Sequence, residues 1–95
     1  MEIEFAATVI EWRGPAPYLF LPVPPDESEL IRESARELTY GWGVIPVAAT
    51  IGATAFTTSL FPRERRYLLP VKVAVQRAEA VGLGDEVEVR MRLGR

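Results

Sequence analysis

The sequence predicts a mainly β fold: a six-stranded pseudo-two-fold β-barrel with two short α-helices. Three observations predict it. Apolar residues alternate at both ends of the chain, at Ile3, Phe5, Ala7 and Val9 and again at Val87, Val89, Met91 and Leu93, which is the period of a strand with one buried face. Two Leu-Pro-Val runs, ending at Val23 and Val71, are each followed by a helical pattern. The order strand, strand with Leu-Pro, helix, Gly-x-Gly, strand then occurs twice along the chain.

The elements follow in order. "EIEFAATVIEW" alternates until Val9, where the apolar phase slips to Ile10 and Trp12; a one-residue slip marks a bulge that bends the strand. "RGPAP" breaks pairing, because proline has no N–H to donate. "YLFLPV" is a second strand, apolar enough to be covered on both faces. In "PPDESELIRESARELTYG", Asp26 reads as an N-cap and Glu29 completes a capping box. Leu30, Ile31, Ala35 and Leu38 form the apolar stripe, Glu29–Arg32 and Glu33–Arg36 are surface pairs, and Gly41 is the C-terminal cap. "GVIPVAATI" turns Ile45, Val47, Ala49 and Ile51 to one face, with Pro46 expected at an edge or a bulge. Gly52-Ala53 makes a two-residue turn of type II′ into "TAFTTSLF", which has Phe56, Thr58 and Leu60 on one face. "PRERR" reads as a polar connection to the strand "YLLPV". A helix over 72–81 is expected to bury Ala74, Val75, Ala78 and Val81 and to end at Gly82. "EVEVRMRL" is the last strand.

Set side by side, "EFAATVI" resembles "AFTTSLF", "YLFLPV" resembles "YLLPV", and "GWGVIPV" echoes "GLGDEVEV". Residues 1–95 therefore read as a single barrel domain of two similar halves, about 1–48 and 49–95. One chain holding both halves can close its own barrel, which removes exposed sheet edges and favours a monomer.

Composition narrows the chemistry. There is no Cys and no His, which removes thiolate chemistry, the commonest zinc ligands and the usual general base. No metal, cofactor or catalytic residue is expected. There is no run of about 18 apolar residues, and Met1 is followed by Glu2 and Glu4 with no basic leader, so a cytoplasmic protein is expected. Charge is uneven: residues 1–48 hold 8 acids and 3 bases, residues 49–95 hold 5 acids and 8 bases. The total of −2 lacks the basicity of a typical nucleic-acid binder.

The pieces "FAATVIEWRGPAPYLFLPVP", "YGWGVIPVAATIGATAFTTSLFP" and "YLLPVKVAVQRAEAVGLGDEVEV" together resemble the bacterial and archaeal family "domain of unknown function 1905". The resemblance covers nearly the whole chain and implies a small barrel distantly allied to the AbrB/MazE type, with no family catalytic residues to carry over. The sequence departs from the family pattern at Ala53, where a second glycine is usual, and in "FPRERRYLLP", where family loops often carry glycine. The second departure argues against a glycine-rich ligand loop.

Two candidate sites emerge. Trp12, Arg13, Tyr40 and Trp42 could wall a site at one barrel end for a partner protein or a small ligand; packing of the barrel end is the simpler account of the same residues. Arg63, Arg65 and Arg66, with Tyr67 stacking beside them, form the alternative, a nucleic-acid or anion contact, against the simpler account of a solvated loop broken by Glu64. "GLGDEV" follows a helix and lacks phosphate-loop spacing, so Asp85 is expected to cap a turn. Glu86 and Glu88 face solvent beside Arg90 and Arg92, and Thr57, Thr58 and Ser59 have no base partner. The leading expectation is a non-enzymatic binding barrel.

Overall fold

A computed structural model describes residues 1–12, 18–38 and 44–94. Seven strands and two helices run in the order β1 (Glu2–Thr8), β2 (Ile10–Trp12), β3 (Tyr18–Pro22), α1 (Pro25–Leu38), β4 (Ile45–Ile51), β5 (Thr54–Arg63), β6 (Arg66–Pro70), α2 (Val73–Glu79) and β7 (Glu86–Leu93). The strands form one antiparallel sheet in the order β1-β7-β4-β5-β6-β3-β2, curled into a half-barrel.

The expected closed barrel of six strands is therefore corrected. The bend foreseen at Val9 divides the first strand into two elements, and these pair at opposite margins of the sheet: β1 with β7, β2 with β3. No ladder joins β1 to β2; only the covalent chain through Val9 does. Val9 is fully buried, donates its N–H to Asp85 (2.9 Å) and accepts at its carbonyl from Gly84 (3.0 Å). β5 makes the same passage without a break. Its first part pairs with β4 and its last three residues pair with β6.

The inner faces converge on a single core. Ile3 and Phe5 come from β1, Ile45, Val47 and Ile51 from β4, and Val87, Val89 and Met91 from β7. Leu21 of β3 and Leu69 of β6 pair directly and are both wholly buried. Burial of each such side chain contributes about 1.5–3 kcal/mol. The alternation foreseen for β4 and β7 holds residue by residue.

Local chemistry moves several boundaries. α1 begins at Pro25, whose missing N–H is no loss at a helix start, so Asp26 lies in the first turn and is not the N-cap. The buried side of α1 is Ser28 and Ile31, while Leu30 is exposed. The Glu29–Arg32 pair forms; Arg36, Leu38 and Gly41 lie outside the described side chains or residues. Pro46 sits in an interior strand opposite Ser59, one step beyond the last β4–β7 pair, where its carbonyl accepts from Gly94 (2.7 Å) and no N–H is required. α2 is shorter than expected and buries only Val75; Ala74 and Ala78 are exposed. It ends at Ala80, which is left-handed (φ 53°), two residues before Gly82. Asp85 does cap a turn, accepting the Gly82 N–H at 2.8 Å. Gly52 is left-handed (φ 58°) at the first turn position, and a Cβ placed there would lie 1.9 Å from Oε1 of Glu79. The same Glu79 accepts the Thr54 hydroxyl at 2.5 Å, so α2 is fastened across the β4–β5 turn.

Candidate functional site

The site is built on the outer face of β5, β6, β3 and β2. Residues opposite one another in a ladder share a face, and alternate residues along a strand share it too. Ile10 pairs with Phe20, which pairs with Pro70; Pro22 pairs with Leu68, which pairs with Phe61. Trp12 and Tyr18 extend this face at one end, Arg63 and Arg66 at the other. It is the outer face because the alternate set, with Leu21, Tyr67 and Leu69, lines the core. Eight apolar or aromatic residues thus point away from the core, and Ile10, Trp12, Tyr18 and Phe61 are exposed. The rings of Tyr18 and Phe20 meet edge to face at 6.4 Å.

One contact gives this face its shape. The guanidinium carbon of Arg63 lies 3.8 Å from the centroid of the Trp12 ring. Laid flat, the ladders would separate these residues widely. β2 and β5 are three strand spacings apart, about 14 Å, and Tyr18 and Arg66 lie about 20 Å apart along the β3–β6 ladder. The two hairpins must therefore curl toward each other over the outside of β3 and β6. Between them on the same face lie Phe20, Pro22, Leu68 and Pro70, the floor of a candidate trough with Arg63 on Trp12 at its mouth. Leu68 is only 7% exposed although it belongs to no part of the main core, as the floor of such a trough would be. A cation–π contact at an exposed site contributes about 0.5–1 kcal/mol.

α1 holds the Arg63 arm. Only Glu64 and Arg65 turn between β5 and β6; Pro62 and Arg63 belong to the strand, which corrects the expected length of this connection. Both turn residues are left-handed, at φ 48° and 68°. A two-residue hairpin of this kind normally uses Asn-Gly, and each L-residue there costs about 1–2 kcal/mol. Arg32 of α1 secures the turn, donating to the Arg65 carbonyl as well as to the Glu29 carboxylate. Ser28 is wholly buried beneath it, donating to the Val23 carbonyl (3.1 Å) and accepting the Tyr67 N–H (3.3 Å). Arg66 Nε donates to the same Val23 carbonyl at 3.0 Å. Burial raises the Tyr67 hydroxyl above its ordinary pKa, with the nearby Arg32 charge opposing the rise.

The sequence candidates divide accordingly. Trp12 and Arg63, assigned to separate sites by sequence, are brought together. Arg66 joins them on the same face, whereas Arg65 offers its carbonyl to Arg32 at the turn. Tyr67 is buried, so its ring is not presented for stacking. Arg13, Tyr40 and Trp42 lie outside the described residues. The trough residues Ile10, Tyr18, Phe20, Phe61 and Leu68 escaped the sequence reading. Tyr18 and Phe20 carry a signal in the apolar run "YLFLPV", whose composition is that of a strand covered on both sides.

The opposite outer face, of β1, β7, β4 and β5, differs in chemistry. It holds an open groove of about 610 Å³ floored by Ala48, Thr50, Ala55 and Thr57 and flanked by Glu2, Arg90 and Arg92. Arg90 and Arg92 lie on β7, three strands away from β6 with its Arg66. The arginines do not converge. Among the described residues no three potential metal ligands cluster, and no helix is long and apolar enough to cross a membrane.

Residues 5–91 match a family model described as "Domain of unknown function (DUF1905)". No curated protein matches the chain.

Proposed function

The chain belongs to the DUF1905 family, and from that premise we propose that it is a non-enzymatic recognition module that binds an extended segment of a partner protein in the trough between its two hairpins. The contact of Arg63 with Trp12 carries this reading, because it draws the two ends of an outward apolar sheet face together. Aromatic troughs of this kind suit extended peptides, whose backbones lie along the floor while side chains enter between rings. The span from β5 to β2 is about 14 Å, which an extended chain at about 3.3 Å per residue crosses in four or five residues. So short a contact buries well under the roughly 800 Å² per partner of a stable interface between folded proteins. A nucleic-acid site draws less support, since Tyr67 is buried and its ring is not presented for stacking beside the arginines.

Two copies of one ancestral unit account for the layout. An offset of 48 residues relates β3 to β6 and makes Leu21–Leu69 a self-related pair. An offset of 42 relates β4 to β7 and does the same for Ala49–Met91. Trp12 and Arg63 occupy equivalent places on the two hairpins in this scheme.

Selection from a random linear-peptide library tests the function. Peptides recovered on the wild-type protein are expected to lose binding to a Tyr18→Ser/Phe61→Ser variant, whose replaced side chains are exposed and whose melting should change little. Peptides that bind both proteins equally, or a library that yields no binder, would remove the reading.

A further inference from the structure

We infer that the segment received by the trough is acidic, and that its carboxylate takes Arg63 away from Trp12 as it binds. This inference rests on the proposed recognition module and adds the chemistry of its ligand. Arg63 and Arg66 stand together on the trough face, yet among the described residues the one ion pair is Glu29–Arg32. Glu11 pairs with Leu19, so it faces the other side of β2. The Arg63 charge is met by a ring face. A ring leaves the planar fork of N–H donors unused, whereas a carboxylate takes two of them at once. At an exposed site the ring is therefore the weaker partner and yields to an arriving acid. Its departure would uncover the Trp12 face for an apolar side chain of the same segment.

The left-handed turn keeps this exchange available. Arg32 holds the Arg65 carbonyl, and Arg66 Nε is held by Val23, so the hairpin end is fixed while the Arg63 side chain remains free to swing. A second copy of the chain fits less well. An isologous pair would place guanidinium against guanidinium, with no acid on this face among the described residues to offset them.

The probes are two ten-residue peptides, one alternating phenylalanine with glutamate and one alternating phenylalanine with glutamine. They are titrated into the full chain carrying Trp42→Phe, which leaves Trp12 as the sole tryptophan reporter. The glutamate peptide is expected to bind about tenfold or more tightly than the glutamine peptide, the gain typical of a charge-assisted hydrogen bond. Binding should shift Trp12 emission, and Arg63→Gln should abolish both the shift and the preference, with melting lowered only slightly by the lost ring contact. Arg63→Lys should recover only part of the preference. Equal binding of the two peptides, lost in Tyr18→Ser/Phe61→Ser, would overturn acid selection and leave the module standing. Binding of neither peptide would also overturn it, while library selection on the same protein still decides the module. A single-stranded oligonucleotide that competes for the site through Arg63 would overturn the partner class.

Discussion

Single residues set the tightest constraints. Gly52 is required by its left-handed φ of 58°, and the Glu79 carboxylate passes where a Cβ would stand, so a larger residue would also push that carboxylate off its bond from Thr54. Gly52→Ala should cost more than the roughly 1–2 kcal/mol of the backbone conformation alone. Part of the loss should disappear when Glu79→Ala is present, giving a non-zero coupling in urea melts of the four proteins. The turn glycine was legible in the sequence, because II′ hairpins demand it. The collision was not, since Glu79 reaches it from a helix 27 residues away. Tyr67 has a pH signature. Burial holds its hydroxyl above the ordinary value of 10.0, so the neutral form is favoured in the folded chain. That contribution is whole below about pH 10 and is lost as the pH climbs past the folded-state value. Stability should fall more steeply above pH 10 in the wild type than in Tyr67→Phe, as urea melts from pH 9 to 12 would show. Equal slopes would mean that the buried hydroxyl contributes nothing.

At the scale of elements, strands were more legible than helices. β4 and β7 alternate without exception because each has one face in the core and one outside. α2 misled because Ala74 and Ala78 satisfy a helical period without being buried; alanine reports propensity, and packing decides the rest. The trough was illegible for a different reason. An outward strand face made of Tyr18, Phe20 and Pro22 has the same composition as a buried one, and only the ladder partners tell them apart. Likewise Trp12 and Arg63 are 51 residues apart, and no local pattern joins them. The β5–β6 turn offers a direct test of stored strain. Replacing Glu64 and Arg65 by Asn and Gly should raise stability by about 1–2 kcal/mol, since both positions are left-handed. A loss instead would mean that the Arg32 bridge depends on the native pair in a way the backbone angles do not convey.

For the whole molecule, the two halves are separable in sequence and inseparable in space. Two ladders, β1–β7 and β3–β6, run wholly between residues 1–48 and 49–95, and β4, which spans the boundary, adds further pairs of both kinds. Within residues 1–48 there remains a single hairpin, β2–β3, and a lone hairpin is marginal in water. Residues 1–48 alone should therefore show no β signal by circular dichroism, and mixing with 49–95 in equal amount should give more β signal than the two separate spectra summed. A folded 1–48 fragment would contradict this. The order of elements could be read from the apolar patterns and their breaks. Closure could not, because whether a sheet meets itself depends on register summed over every strand, and sequence constrains each register only locally.

The pairing of β1 with β7 also bears on how the protein is made. A ribosome adds about 5–20 residues per second, so the first strand waits several seconds before its partner exists. Throughout that interval Ile3, Phe5 and Val9 lack the strand that holds them, and the nascent chain carries a greasy ribbon that a holdase chaperone could grip.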